Sequence, residues 1–183
     1  GNMAAICGVK DKGASILVAR NCHVSVYNAI ILNELETIYV YPQYDDEYGY
    51  YKGISLNEIK DTVENSKLEK KDIKAVVITS PTYEGNISDI KNIAEYLHEH
   101  NIPLIVDEAH GAHFKFSCEF PQTAVEQGAD IVINSVHKTL PSLTQTAVMH
   151  INYGYVNVSK VKRYWNIYQS TSPSYILMGS IDR

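Results

Sequence analysis

Two residues that follow apolar, β-branched runs could together carry out cofactor chemistry. Asp107 closes one run, and Lys138 follows the next run along the chain together with Ser135 and His137. A lysine amine can form a Schiff base with a cofactor aldehyde, while a hydroxyl and an imidazole beside it can hold phosphate oxygens. A carboxylate can keep a pyridine nitrogen protonated, which makes the ring an electron sink. The pair predicts a site for a phosphorylated pyridine aldehyde.

Other motifs in the same region predict less. The letters DEAH at 107–110 occur in nucleotide-dependent helicases, but that activity needs a phosphate loop ending in Gly-Lys-Ser or Gly-Lys-Thr, which this sequence lacks. His110 and His113 have a spacing that metal ligands can share on a helix, yet they follow a strand and have no zinc-type partners. The three cysteines form no CxxC pair. We therefore predict no metal site and no disulfide framework.

Length and composition place the chain among ordinary globular domains. It has 183 residues, 45% of them apolar, and a formal net charge of −5. This length suggests about one domain, and the apolar fraction is too high for intrinsic disorder. The acidic balance argues against nucleic acid or an anionic membrane as a partner. With neither a long apolar run nor a signal peptide pattern, we expect a cytoplasmic protein.

The site residues must be positioned by alternating strands and helices. Continuous apolar runs, typical of strands covered on both faces, predict strands at Ser15–Arg20, Thr37–Tyr41, Ala75–Ser80, Pro103–Glu108, Asp130–Ser135 and Thr146–Ile151. Helical patterns predict helices at Val24–Leu35, Leu56–Glu64 (capped by Ser55), Ser88–His100, Pro121–Gln127 and Val156–Tyr168, with an exposed loop at Tyr44–Gly53. This order predicts an α/β fold of three α/β/α layers around a mostly parallel central sheet, with ligands bound beyond the carboxyl ends of the strands.

At these residues the sequence resembles the major domain of the bacterial ornithine/lysine/arginine decarboxylases. These are pyridoxal phosphate (PLP) enzymes of the aspartate-aminotransferase fold, fold type I. The matching stretches follow the family's order over nearly the whole chain: RNCH at 20–23, SPTYEG at 80–85, VDEAHGAHF at 106–114, GAD at 128–130, SVHKTLP at 135–141, LTQTAV at 143–148 and STSPSY at 170–175. The resemblance implies that residues 1–183 form part of the PLP-binding major domain, without its N-terminal phosphate loop and without the C-terminal small domain.

The resemblance also implies roles around the cofactor ring. Lys138 would bind PLP as a Schiff base, and Asp107 would pair with the pyridinium nitrogen. His23 would stack on the face of the ring, and Ala109 would pack under it. From the residues alone, His23 could instead cap the helix that follows it.

For the cofactor phosphate, the family resemblance implies two groups of ligands. Ser135 and His137 would bind the phosphate within the same chain. Thr171 and Ser172 resemble the segment that reaches the cofactor phosphate of a neighbouring subunit, which implies a homodimer or a higher homo-oligomer. The alternative is that Thr171 and Ser172 only end the last helix before a proline.

The implied reaction is the decarboxylation of a basic amino acid (arginine, lysine or ornithine) to its amine and carbon dioxide. His110 would stand near the substrate and, like Lys138, could return a proton to the α-carbon. Thr82, Tyr83 and Glu84 would lie near the substrate, although supporting or surface roles fit His110, Thr82 and Glu84 as well. Two other functions stay open: a catalytically silent domain of the same fold, and another fold-type-I enzyme such as an aminotransferase or lyase.

Overall fold

The computed structural model describes residues 1–9, 11, 13–69 and 71–182. Its strands are β1 (Ser15–Ala19), β2 (Glu36–Val40), β3 (Tyr44–Asp45), β4 (Tyr50–Tyr51), β5 (Ile73–Thr79), β6 (Leu104–Asp107), β7 (Ile131–Asn134) and β8 (Val148–Ile151). Its helices are α1 (Asn2–Val9), α2 (Val24–Leu32), α3 (Leu56–Leu68), α4 (Ile90–Glu99), α5 (Val136–Thr139), α6 (Val158–Tyr168) and α7 (Tyr175–Ile181), with a 3-10 turn at Phe114–Phe116.

A six-stranded sheet in the order β2-β1-β5-β6-β7-β8 forms the centre of the fold. Every neighbouring pair is parallel except β7 and β8, which are antiparallel. The carboxyl ends of the parallel strands therefore meet at one edge of the sheet. The predicted α/β class and the mostly parallel central sheet are confirmed, and all six predicted strands are present.

Helices cover both faces of this sheet, because successive buried side chains of a strand point to opposite sides. On β5, for example, Val76 and Ile78 join the core under α3 and α4, whereas Ala75 and Val77 join the core under α1, α2 and α6. Burial on both faces is why the strands read as continuous apolar runs in the sequence. Among the described residues, no helix is long and apolar enough to span a bilayer.

Local signals account for two of the predicted helices. Ser55 begins α3 with a capping box, since its hydroxyl accepts from the Glu58 N–H at 3.3 Å and Glu58 accepts from the Ser55 N–H at 2.6 Å. The apolar residues of α4 all face the core: Ile90, Ile93, Ala94 and Leu97. The prediction of Ser55 as a helix cap is confirmed.

One prediction of local structure was wrong, and another was right only in part. The segment Pro121–Gln127 forms turns rather than a helix. Thr123 and Glu126 cap its start, but Gly128, at φ 96°, ends it after a single turn. The predicted loop Tyr44–Gly53 is largely exposed, as expected, but it contains the short hairpin β3–β4, whose Tyr44 and Tyr51 rings lie 4.9 Å apart.

Three helices were not predicted: α1, α5 and α7. Helix α1 is buried on nearly all sides, so its sequence has no polar face and no helical period. It packs tightly on α6 at Gly8, where a Cβ atom would come within 2.5 Å of the Val161 Cα. This contact holds the first residues of α1 beside the carboxyl edge of the sheet.

Candidate active site

Asp107 and Lys138 meet at the carboxyl edge of two adjacent strands. Asp107 is the last residue of β6, and it pairs with Ile133 on β7. The chain then turns from β7 into the short helix α5, which carries Lys138. Because β6 and β7 are parallel, their carboxyl ends lie at the same edge of the sheet, and Asp107 and Lys138 both lie at that edge.

The Asp107 carboxylate is almost completely buried, with 3% of the residue exposed. Its Oδ2 accepts a hydrogen bond from Asn2 Nδ2 at 2.7 Å, and its Oδ1 accepts one from the Ala109 N–H at 3.2 Å. Among the described residues, no cationic side chain forms an ion pair with this carboxylate. Asp107 is therefore a buried, fixed carboxylate with capacity for a cationic partner.

Lys138 and His110 contact each other at the edge of the sheet where Asp107 lies. The Lys138 Nζ lies 3.2 Å from His110 Nε2, and the ring of Tyr83 meets the His110 ring edge-on at 5.7 Å. Burial and the positive charge of Lys138 lower the pKa of His110 below its ordinary value of 6.5. His110 is therefore neutral at neutral pH, and its Nε2 can accept a hydrogen bond from the Lys138 ammonium.

We expect the charge of Lys138 to be measurable at His110. An NMR titration should give His110 a midpoint below 6.5, and Lys138→Met should raise that midpoint because it removes a positive neighbour. His150 is the control, since burial alone lowers its pKa and its midpoint should not move. An unchanged His110 midpoint in Lys138→Met would contradict the contact.

Ser135 and His137 precede Lys138 at the start of α5. Ser135 occupies the cap position before α5, and its side chain makes no capping hydrogen bond. The His137 Nδ1 lies 2.8 Å from the Thr146 carbonyl oxygen, so Nδ1 carries a hydrogen. His137 Nε2 can therefore donate to a phosphate oxygen only when the ring is doubly protonated.

His23 caps α2, as the sequence allowed. Its Nδ1 accepts from the Ser25 N–H at 3.2 Å, and the Ser25 hydroxyl lies 2.8 Å from the same nitrogen. The cap fixes one side of the ring, while the residue as a whole stays exposed. Capping and a contact between the ring face and a cofactor are therefore compatible.

The predicted substrate residues lie in one tight turn after β5. Thr82 is buried, and its hydroxyl accepts from the Asn86 N–H at 3.2 Å, which gives it a role in holding the turn. Tyr83 is 85% exposed and stands beside His110. Glu84 is also exposed, and among the described residues no hydrogen bond or ion pair joins it to the site. The turn thus brings Tyr83 to the site more directly than Glu84.

Thr171 and Ser172 are not brought to Lys138 within this chain. They lie in an exposed bend between α6 and α7, where the Ser172 N–H donates to Ser170 Oγ at 3.1 Å. No hydrogen bond in the described part of the chain connects them to Asp107 or Lys138. A role for these two residues at a neighbouring subunit's cofactor stays a prediction.

Sequence reasoning missed the partners of the acidic residues. Asn2 holds Asp107 from a position 105 residues away in the chain, which no local pattern signals. Glu108 is 2% exposed and accepts from the Ala124 N–H at 2.7 Å and from Asn134 Nδ2 at 3.0 Å. The sequence signal for their burial was that two acidic residues, Asp107 and Glu108, directly follow an apolar run.

Comparisons with known proteins match the whole chain to one family. The family described as Orn/Lys/Arg decarboxylase, major domain, matches residues 1–183. The chain is 42% identical over 183 residues to the uncharacterized protein YaaO of Bacillus subtilis and 39% identical over 178 residues to the arginine decarboxylase of Bacillus cereus. These matches cover 100% and 97% of this chain, and the chain spans 37% of the length of each relative.

Solved structures show the same fold. Lysine decarboxylase A from Pseudomonas aeruginosa superimposes with a TM-score of 0.84 at 25% identity, over 99% of this chain and 26% of that protein. The family model matches the chain over its full length, and this length includes the buried Asp107 and Lys138. The chain belongs to the Orn/Lys/Arg decarboxylase family.

Proposed function

We propose that this chain provides the PLP-binding part of a decarboxylase that converts a basic amino acid to its amine and carbon dioxide. The observation that carries the proposal is the buried Asp107 carboxylate at the same sheet edge as Lys138. Family membership supports the reaction class, and the arginine and lysine decarboxylases among its relatives support a basic substrate.

The residues present fit PLP. Asp107 is a buried carboxylate whose hydrogen bonds come from neutral N–H donors, so its oxygens can also accept a hydrogen bond from a protonated pyridine nitrogen. Lys138 supplies a primary amine, Ser135 supplies a hydroxyl donor for phosphate, and His137 supplies an N–H donor when its ring is doubly protonated. Ala109, buried next to Asp107, leaves room for a flat ring because its side chain is a single methyl group.

When bound, PLP supplies an electron sink for the pair released as carbon dioxide leaves. Asp107 would hold a proton on the ring nitrogen, because a buried carboxylate stabilises a neighbouring cation strongly where water is excluded. His23 would cover one ring face, and Ser135 and His137 would hold the phosphate. These contacts would fix the orientation of the cofactor.

Lys138 and His110 are placed to manage the proton that returns to the α-carbon. Lys138 Nζ and His110 Nε2 are within hydrogen-bond reach, so a proton on one can pass to the other. The lowered pKa of His110 keeps it an acceptor at neutral pH, which leaves the proton on Lys138 for delivery.

The location of the protein, its oligomeric state and its substrate pocket are also proposed. We propose that the protein acts in the cytoplasm as a homodimer or higher homo-oligomer, with Thr171 and Ser172 contributing to a neighbouring subunit's site. Tyr83, Thr82 and Glu84 would form the near wall of the substrate pocket. A silent domain of the same fold and an aminotransferase or lyase are the competing functions.

The test is to trap the cofactor. The purified chain is incubated with PLP and reduced with borohydride, and the modified lysine is mapped by mass spectrometry. We expect one dominant adduct, at Lys138. Lys138→Ala should remove it, whereas Lys91→Ala, an exposed lysine on α4, should leave it unchanged.

Products then separate the competing functions. Carbon dioxide and a diamine or agmatine-type amine from arginine, lysine or ornithine would support the decarboxylase, and a keto acid would point to an aminotransferase. Adducts scattered equally over surface lysines would instead indicate a silent domain.

A further inference from the structure

A chain of hydrogen bonds joins Asp107 to His23 through two residues that have no role in the reaction described above. Asn2 Nδ2 donates to Asp107 Oδ2 at 2.7 Å and to Ser25 Oγ at 3.0 Å. The Ser25 hydroxyl in turn lies 2.8 Å from His23 Nδ1. The chain runs from a buried carboxylate to an exposed imidazole and connects β6, α1 and α2.

Hydrogen-bond chemistry fixes the direction of each link. An ionised carboxylate only accepts, so the amide nitrogen of Asn2 must face Asp107; the flipped amide would set Oδ1 against a carboxylate oxygen. Asn2 uses its second amide hydrogen on Ser25 Oγ, which leaves the serine hydroxyl hydrogen for His23 Nδ1. Asn2 is itself 8% exposed, so water competes little for these bonds.

Two donors therefore converge on one nitrogen of His23. Besides the Ser25 hydroxyl, the Ser25 backbone N–H donates to Nδ1 at 3.2 Å. A nitrogen that accepts two hydrogen bonds carries no hydrogen, so the hydrogen of the neutral ring lies on Nε2.

We propose that Asn2 and Ser25 are positioning residues that tie His23 to Asp107 and hold the His23 ring with its hydrogen on Nε2. The bridge is a property of the chain alone, whereas its use in catalysis rests on the proposed function. A ring held in this way offers an N–H at its outer edge, which favours an anionic oxygen of the cofactor or substrate over a cationic group.

The test measures the tautomer of His23 directly. In the purified chain with 15N-labelled histidine and no cofactor, NMR at neutral pH should show His23 Nδ1 unprotonated and Nε2 protonated. Ser25→Ala should shift the ratio of the two tautomers by about threefold or more, because it removes one neutral hydrogen bond. Ser25→Thr keeps the hydroxyl and should restore the original ratio.

The matched control is Ser159→Ala. Ser159 is the second residue of α6 as Ser25 is of α2, it is exposed, and its substitution should leave His23 unchanged. A protonated Nδ1 in the unmodified chain would overturn the bridge even if Ser25→Ala fails to fold. The bridge would also be overturned if a folded Ser25→Ala had the same tautomer ratio as the unmodified chain.

Failure of the bridge and failure of the proposed function are distinguishable. The expected tautomer with no borohydride adduct at Lys138 would leave the bridge standing and contradict the decarboxylase. An adduct at Lys138 with Nδ1 protonated would support the cofactor site and overturn the bridge.

Discussion

Replacing Asp107 with asparagine should lower the rate of the proposed decarboxylation about a thousandfold, the upper end of what one preorganised electrostatic contact contributes. Asparagine has nearly the same shape but no negative charge, so it cannot hold a proton on the ring nitrogen of the cofactor. Carbon dioxide release from a carboxyl-labelled basic amino acid, measured with the purified protein and PLP, gives the rate. Attachment of PLP to Lys138 should persist.

The control for Asp107→Asn is Asp89→Asn, which makes the same change of charge outside the site. Asp89 caps α4 by accepting from the Asn92 N–H, and asparagine caps a helix equally well. Asp89→Asn should therefore keep full activity. A loss below tenfold in Asp107→Asn would show that the carboxylate charge is not used in the reaction.

Glu108→Ala should destabilise the fold by about 3 kcal/mol. The carboxylate is buried, and its removal leaves the Ala124 N–H and Asn134 Nδ2 without their acceptor, at a cost of roughly 1–3 kcal/mol for each buried donor. Urea unfolding followed by circular dichroism measures the difference. Glu95→Ala, on the exposed side of α4, should change the free energy of unfolding by less than about 0.5 kcal/mol.

The effect of Glu108→Ala should also depend on pH. Burial raises the pKa of Glu108 above its ordinary value of 4.5. Between pH 4.5 and this raised pKa, the folded chain holds a proton on Glu108 that the unfolded chain has released. The resulting stabilisation is complete below pH 4.5 and is lost as pH rises through the raised pKa. The difference between the parent chain and Glu108→Ala should therefore shrink from acidic to neutral pH. A difference that grows over this range would contradict the raised pKa.

The sheet could be predicted from sequence because burial on both faces leaves a strong local pattern. The runs that became β5, β6 and β7 are continuous and apolar, and short helices or turns separate them. Helix α1 could not be predicted in the same way, since burial all round removes the polar face that marks a helix. Its position is decided by the close contact of Gly8 with Val161, far away in the sequence.

The position of the candidate site residues at one edge of the sheet was predictable where one segment carries several of them. Lys138 lies in α5 beside His137, and Ala109 and His110 follow Asp107 directly after β6, so short motifs contain them. The bond from Asn2 to Asp107 is a long-range contact between single residues, and no motif contains both. Contacts of this kind follow from the packing of α1 against the sheet rather than from any local pattern.

The antiparallel return of β8 has a consequence for how this fold can diversify. Because β8 runs back beside β7, the segment from Ser135 to Ala147 starts and finishes at the same edge of the sheet. The register between Asn134 and Val148 anchors both of its ends. Insertions or deletions after Lys138 would therefore reshape the surroundings of its amine and leave the strand order untouched, since each doubling of a loop costs only about 0.6 kcal/mol. This connection can thus vary while the scaffold stays the same.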